Sequence, residues 1–389
     1  MKNVQTPNIF SGVSIAWSFG FATMGGLVCS ALCVEKSFMP SRIVRVLVID
    51  DSPLVQRIIS EGLSKDPNIE VCGVASDPFA GRDAIVKLRP DVLTLDVEMP
   101  KMNGVEFLRR LMPQYPIPVV MVSGLTERGQ KTTLEAMAAG AVDFVGKPKE
   151  GDLSSMLDEL RTKVKIASTV NVSHWKNRQF ESAAMMSSSI IAGKVSGQGA
   201  LAKKICAIGA STGGTEALRE VICGFPKHFI GTVVVQHMPA GFTKMFADRL
   251  NGLAQVVVKE AADGDMICDG RVLIAQGGKQ MEVIRAGGGW SVRCFDGPLM
   301  CGHRPSVEQM MFSVAKNVGN RAIGAMLTGM GADGANGMKA MSDAGAHCIA
   351  QDEATSVVFG MPKEAYAKGG AKSLVPLPKI AATLVNMAK

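Results

Sequence analysis

From Ile43 to about Ala167 short apolar runs alternate with helix-length amphipathic segments, and that rhythm admits few folds. Val44 to Ile49, Val71 to Ala75, Val92 to Leu95, Val119 to Val122 and Val142 to Val145 read as strands, with helical spacing between them as in Pro53 to Leu63. Strands and helices in strict alternation give a parallel, doubly wound sheet. In such sheets the residues just past the strands collect along one edge. Here that edge gathers Asp50, Asp51, Asp96, Ser123 and Lys147, which are far apart in the sequence. Three carboxylates together repel unless a hard divalent cation sits among them, and a lysine with a hydroxyl opposite suits phosphoryl oxygens. Ordinary helix caps explain one or two of these residues and explain five poorly.

A second series begins near Lys203. The run from Ile205 ends in Gly209-Ala210-Ser211-Thr212-Gly213-Gly214, which reads as strand, tight turn and helix start. Small residues let a carbonyl carbon approach the Ser211 hydroxyl, and the free N–H groups of a helix end favour developing negative charge. Such turns also hold phosphates or simply pack, so the rest of the chain must decide. Thr232 to Gln236 ends in His237-Met238-Pro239, and Ala322 to Leu327 ends in Thr328-Gly329-Met330-Gly331-Ala332-Asp333-Gly334. A serine, a histidine and an aspartate thus all follow strand ends. A catalytic triad needs that arrangement, with His237 taking the Ser211 proton and Asp333 fixing the imidazole tautomer. The order Ser, His, Asp is not that of α/β-hydrolases.

Gly329 and Gly331 free the backbone N–H of Met330 to approach substrate, which makes it an oxyanion-hole candidate together with Thr212. The competing reading of this loop is a phosphate cradle, but no Lys-Ser/Thr pair follows it. His303, in Cys301-Gly302-His303-Arg304-Pro305-Ser306-Val307, is a candidate for lining the cleft. His228 reads as exposed and His347 as a packed strand residue. Cys294, Cys301 and His303 lack the spacing of a zinc site.

Residues 168–201 turn to Ser, Asn, Gln, Ala and Gly without a core pattern and read as a linker. The expected organisation is an extension over 1–42, a first domain over 43–167, the linker, and a catalytic domain over 202–389. The expected fold class is α/β, two doubly wound parallel-sheet domains, one flavodoxin-like and one Rossmann-like. Within the extension Ile9 to Val34 is uncharged and apolar, but interspersed Ser and Gly residues argue against a membrane span; it reads as unstructured or as a start placed too far upstream. A formal charge of +7 is spread along the 389 residues without a long basic run, which disfavours nucleic acid as a partner. Nine cysteines without a C-x-x-C pattern suit thiols in a reducing, cytoplasmic compartment.

Ile49-Asp50-Asp51, the stretch Asp96-Val97-Glu98-Met99-Pro100-Lys101-Met102-Asn103-Gly104, Ser123 and Lys147-Pro148 resemble the receiver domain of two-component response regulators. The resemblance implies phosphorylation of Asp96 by a histidine kinase and Mg²⁺ held by Asp50, Asp51 and Asp96. It also implies Lys147 and Ser123 on the phosphoryl group and Phe144 at the aromatic switch position. The motifs around Ser211, His237, His303 and Asp333, with Gln351-Asp352-Glu353-Ala354-Thr355-Ser356-Val357-Val358, resemble the chemotaxis protein-glutamate methylesterases, in which a receiver is joined to a serine esterase. That resemblance runs from about residue 43 to the end. It implies hydrolysis of glutamate γ-methyl esters on chemoreceptors with release of methanol, and deamidation of particular receptor glutamines. It also implies a triad of Ser211, His237 and Asp333, and no cofactor for the ester step. No stable membrane insertion is expected.

The extension and a long linker depart from the family pattern. A DNA-binding output would need a helix-turn-helix with a basic recognition helix, which the strand–helix alternation after residue 202 does not offer. A hydrolase fold kept only for binding is disfavoured by the complete Ser, His and Asp set. The unphosphorylated receiver is expected to restrain the esterase by covering the crevice near Ser211, with a linker long enough to let the two domains face each other.

Overall fold

The computed structural model describes residues 42–100, 102–124, 126–147, 153–172 and 200–389. Expectations for the N-terminal extension and for most of the linker lie outside these residues. The first sheet is built from β1 (Val44–Ile49), β2 (Ile69–Ala75), β3 (Val92–Asp96), β4 (Val119–Gly124) and β5 (Asp143–Lys147). Helices α1 (Pro53–Leu63), α2 (Pro78–Leu88), α3 (Gly104–Leu111), α4 (Glu127–Ala138) and α5 (Leu153–Ala167) connect or follow these strands. All pairings are parallel in the order β2-β1-β3-β4-β5, the flavodoxin-like arrangement. Local chemistry starts the helices where the strands end. The Ser52 hydroxyl accepts the Val55 N–H ahead of α1, and Asn103 accepts Glu106 N at 2.8 Å ahead of α3.

The second sheet has seven parallel strands. They are β6 (Ile205–Ala210), β7 (Gly231–Gln236), β8 (Val257–Glu260), β9 (Arg271–Ile274), β12 (Ala322–Met326), β13 (His347–Gln351) and β14 (Leu374–Val375), in the order β14-β13-β12-β6-β7-β9-β8. The chain starts in the middle, builds outward on one side, then returns to build the other, as in a Rossmann sheet with an added edge strand. The reversal lies between β6 and β12, where a sheet of this kind has its ligand site outside the carboxyl ends of the strands. An antiparallel hairpin, β10 (Gln280–Ala286) and β11 (Gly289–Phe295), interrupts the alternation and was not foreseen. The second half's helices are α6 (Gly214–Cys223), α7 (Phe242–Leu253), α8 (Val307–Asn317), α9 (Ala335–Asp343), α10 (Met361–Ala367) and α11 (Leu377–Ala388).

The two halves share one apolar cluster, which runs from the first sheet into α6 and α7. The Phe144 ring of β5 lies against Phe242 at the start of α7, centroids 4.5 Å apart. Arg249 of α7 donates to the carbonyl of Leu134 in α4. The Thr212 hydroxyl donates to Asp143 Oδ2 at 2.5 Å. These contacts come from α4 and the start of edge strand β5, in the fourth and fifth strand–helix units of the first sheet. His347 does begin a strand but is exposed there, contrary to its expected packing, while His228 is exposed as anticipated.

Candidate active site

At the carboxyl edge of the first sheet Asp50 follows β1, Asp96 ends β3 and Lys147 ends β5. Asp50 and Asp96 are buried, Asp51 is exposed, and the three carboxylates offer oxygens within 4.8 Å of one another. Among the described residues no other such donor group is present. These hard oxygen donors fit a divalent cation. Lys147 Nζ sits 2.9 Å from both Asp50 Oδ2 and Asp96 Oδ2. Burial pushes the Asp96 carboxyl above its ordinary range, with Lys147 opposing. Burial works to lower the Lys147 ammonium, but Asp96 and Asp50 outweigh it and raise it. Ser123, fully buried, donates to the carbonyls of Gly124 and Gly129 rather than to Asp96. Phe144 is buried against Phe242, with Lys163 Nζ 5.3 Å from its centroid.

At the second sheet's edge, Ser211 follows β6, His237 follows β7, and Asp333 closes the loop after β12. Gly213, at φ 77°, takes the left-handed turn that lets α6 start at Gly214, three residues after the serine. Gly329 brings the β12 loop against Ser211: a side-chain carbon there would lie 2.8 Å from the Ser211 Cβ and 2.4 Å from the Met361 sulfur. Three glutamine and threonine side chains tie the edge together. Gln236 Nε2 donates to the Ser211 carbonyl at 2.9 Å, Thr328 Oγ1 donates to the Thr212 carbonyl at 3.0 Å, and Gln351 Oε1 accepts Thr328 N at 2.8 Å. Gln236 and Gln351 are the last residues of β7 and β13. A polar side chain closing an apolar strand was their signal in the sequence.

The structure puts His237 in side-chain contact with Asp333 and sets Ser211 and His237 at the ends of neighbouring strands. His237 N donates to the Ala210 carbonyl at 3.1 Å, so the histidine stands beside Ser211 on the neighbouring strand. His237 Nε2 lies 2.7 Å from Asp333 Oδ2. The opposite ring atom, Nδ1, is buried without a hydrogen-bond partner among the described residues, and is the nitrogen left for a hydroxyl. Burial would raise the Asp333 carboxyl, but its hydrogen bonds to His237, Ser306 and the Val307 N–H hold it below the ordinary range. His303 stacks on His237, centroids 3.7 Å apart and planes 14° from parallel. Burial, then the nearby His237, lowers the His303 imidazole to about 4, so it stays neutral at pH 7. Ser211 N is taken by the Thr328 carbonyl at 3.0 Å, whereas the N–H groups of Thr212 and Met330 make no hydrogen bond to described residues. No helix among the described residues is long and apolar enough to cross a membrane.

The model of the CheB methylesterase family matches residues 206–384, and that of the response regulator receiver domain matches residues 46–158. A protein-glutamate methylesterase/protein-glutamine glutaminase of Syntrophotalea carbinolica is 59% identical over 355 residues, which cover 90% of this chain and 98% of that one. Protein-glutamate methylesterase/protein-glutamine glutaminase 1 of Albidiferax ferrireducens is 46% identical over 352 residues, covering 88% of this chain and 93% of the relative. Among solved structures, the CheB methylesterase catalytic domain of Thermotoga maritima matches with 38% identity and a TM-score of 0.46, covering 47% of this chain and 98% of that one. Joining a receiver to a methylesterase domain over nearly the whole length of such relatives, the chain belongs to the CheB family of protein-glutamate methylesterases.

Proposed function

We propose that Ser211, His237 and Asp333 carry out both the methylesterase and the glutaminase reaction of this family. The Ser211 hydroxyl attacks the γ-carbonyl carbon of a glutamyl methyl ester while His237 Nδ1 takes its proton. Asp333, on Nε2, keeps the imidazole in the tautomer that leaves Nδ1 unprotonated and stabilises the charge once the proton arrives. The tetrahedral oxyanion is met by the N–H groups of Thr212 and Met330. His237 returns the proton to the departing methanol, or to ammonia when the substrate is glutamine. Water, deprotonated by the same nitrogen, then attacks the acyl carbon and releases glutamate and free Ser211. The observation that carries this reading is the His237 ring, bonded to Asp333 at 2.7 Å on one nitrogen and, on the other, buried without a partner among the described residues.

The proposed substrates are methylated chemoreceptors and the proposed phosphodonor is a histidine kinase, both in the cytoplasm. In that reading residues 43–167 act as receiver, 168–201 as linker and 202–389 as hydrolase. Asp50, Asp51 and Asp96 would hold Mg²⁺, which neutralises charge on a phosphoryl group in transfer. Lys147 orients the Asp96 carboxylate, and Ser123 must turn from its backbone acceptors to reach a phosphoryl oxygen. The restraint on the esterase is read from Thr212: its hydroxyl is held by Asp143 of the receiver, one residue from Ser211 and one from Phe144. Phosphorylation that moves Phe144 would loosen this hold.

Methanol release from methylated receptor membranes tests the assignment. Ser211→Ala should lose on the order of a million-fold in rate while staying folded. Near-wild-type release by that variant would refute the triad.

A further inference from the structure

Ser306 lies outside the triad, yet its side chain ends on it. It is fully buried and caps α8, and its hydroxyl donates to Asp333 Oδ1 at 2.7 Å. The first two backbone N–H groups of α8 join it: Glu308 N reaches Oδ1 at 3.0 Å and Val307 N reaches Oδ2 at 2.7 Å. With His237 on Oδ2, the Asp333 carboxylate therefore meets four donors, three of them from one helix start. A carboxylate at a helix N-terminus is stabilised by the unpaired N–H groups there. Glu308 anchors that start in turn. Its buried carboxylate accepts Asn336 Nδ2 at 2.7 Å and Gly337 N at 2.9 Å, which locks α8 to the head of α9 just after Asp333.

Resting on the triad proposed above, we infer that Ser306 is a positioning residue for the proton relay. Its hydrogen bond fixes the rotation of the Asp333 carboxylate so that Oδ2 points at His237 Nε2. It also withdraws charge from Asp333 and so sets how tightly His237 holds a proton. The same loop delivers both sides of the relay, because His303 stacks on the His237 ring three residues before Ser306 binds the aspartate. His237 faces Asp333 and His303, and His303 is influenced by Lys163 of α5.

The effect has a sign. Without the Ser306 donor more negative charge stays on Oδ2, the imidazolium form of His237 is favoured, and Asp333 itself protonates more readily. Both changes move the acidic limb of the kcat/KM profile to higher pH, because the reaction needs neutral His237 and ionised Asp333. A residue that merely held the helix would change the amount of folded enzyme and leave the limb in place.

The experiment compares full-length wild type, Ser306→Gly, Ser306→Ala, Ser306→Thr and Ser211→Ala, each with acetyl phosphate and Mg²⁺, by methanol release across a pH series. Rates are normalised to folded protein, and glycine is tolerated at helix N-caps, so the cap itself is not at issue. Ser306→Gly should lose about 10- to 100-fold in kcat, the range of a hydrogen bond to a charged group felt at the transition state, with KM nearly unchanged. Its acidic limb should shift upward, and Ser306→Thr should restore both rate and limb. Wild-type kcat and an unmoved limb in folded Ser306→Gly or Ser306→Ala would overturn the inference, as would failure of both to fold, since the role would then belong to the fold. An active Ser211→Ala would instead overturn the triad beneath it.

Discussion

Two buried aspartates, Asp96 and Asp333, lie at the carboxyl edges of the two parallel sheets, and their surroundings differ sharply. Asp96 receives one backbone N–H, from Val97 at 2.7 Å, and shares Lys147 with Asp50. Burial dominates, and its carboxyl is pushed up. Asp333 receives four donors and is held down as a carboxylate. The first is crowded by like charge and under-bonded, which suits a group that awaits a cation and a phosphoryl transfer. The second is saturated, which suits a group that must stay charged and unmoved while its neighbour changes protonation. In the proposed reading topology places each aspartate, and the number of donors around it separates the one that reacts from the one that braces.

The largest expected effect comes from removing the braced charge. Asp333→Asn keeps the shape but cannot select the His237 tautomer, and should lower methanol release about ten-thousand-fold, phosphodonor or not. Retention of more than a small fraction of activity would place the charge elsewhere. A smaller effect is expected where the two halves touch. Asp143→Ala removes the acceptor of the Thr212 hydroxyl, while Lys163 keeps Glu159 at 2.8 Å. If that bond helps hold the restrained state, its loss should raise the unstimulated rate by about tenfold, the low end for a hydrogen bond to a charge. It should also shrink the response to phosphodonor. An unchanged or lowered unstimulated rate would separate the contact from the restraint.

Much of this was legible in the sequence because a parallel sheet puts chemistry in a readable place, just past each apolar run. Asp50, Asp96 and Lys147 in one half, and Ser211, His237 and Asp333 in the other, were found that way, and α1 has its expected limits. What was not legible depends on backbone and on distance. Two of the donors to Asp333 are N–H groups, which no residue type announces, and Ser306 reaches it across 27 positions of chain. Strands β8 and β9 span four residues each and carry Lys, Glu or Arg, too little for a pattern to stand out. The Asp143–Thr212 contact arises from the docking of two separate sheets, and local periodicity says nothing of docking.

The contrast between the two aspartates is tested most directly by methanol release from methylated receptor membranes by wild type and Asp96→Asn, each with and without acetyl phosphate and Mg²⁺. Asp96 lies outside the hydrolytic machinery, so Asp96→Asn should keep the unstimulated rate of the wild type. Acetyl phosphate should accelerate the wild type and leave the variant where it was. Equal stimulation of both proteins, or none of the wild type, would contradict the assignment of Asp96 as the aspartate that reacts.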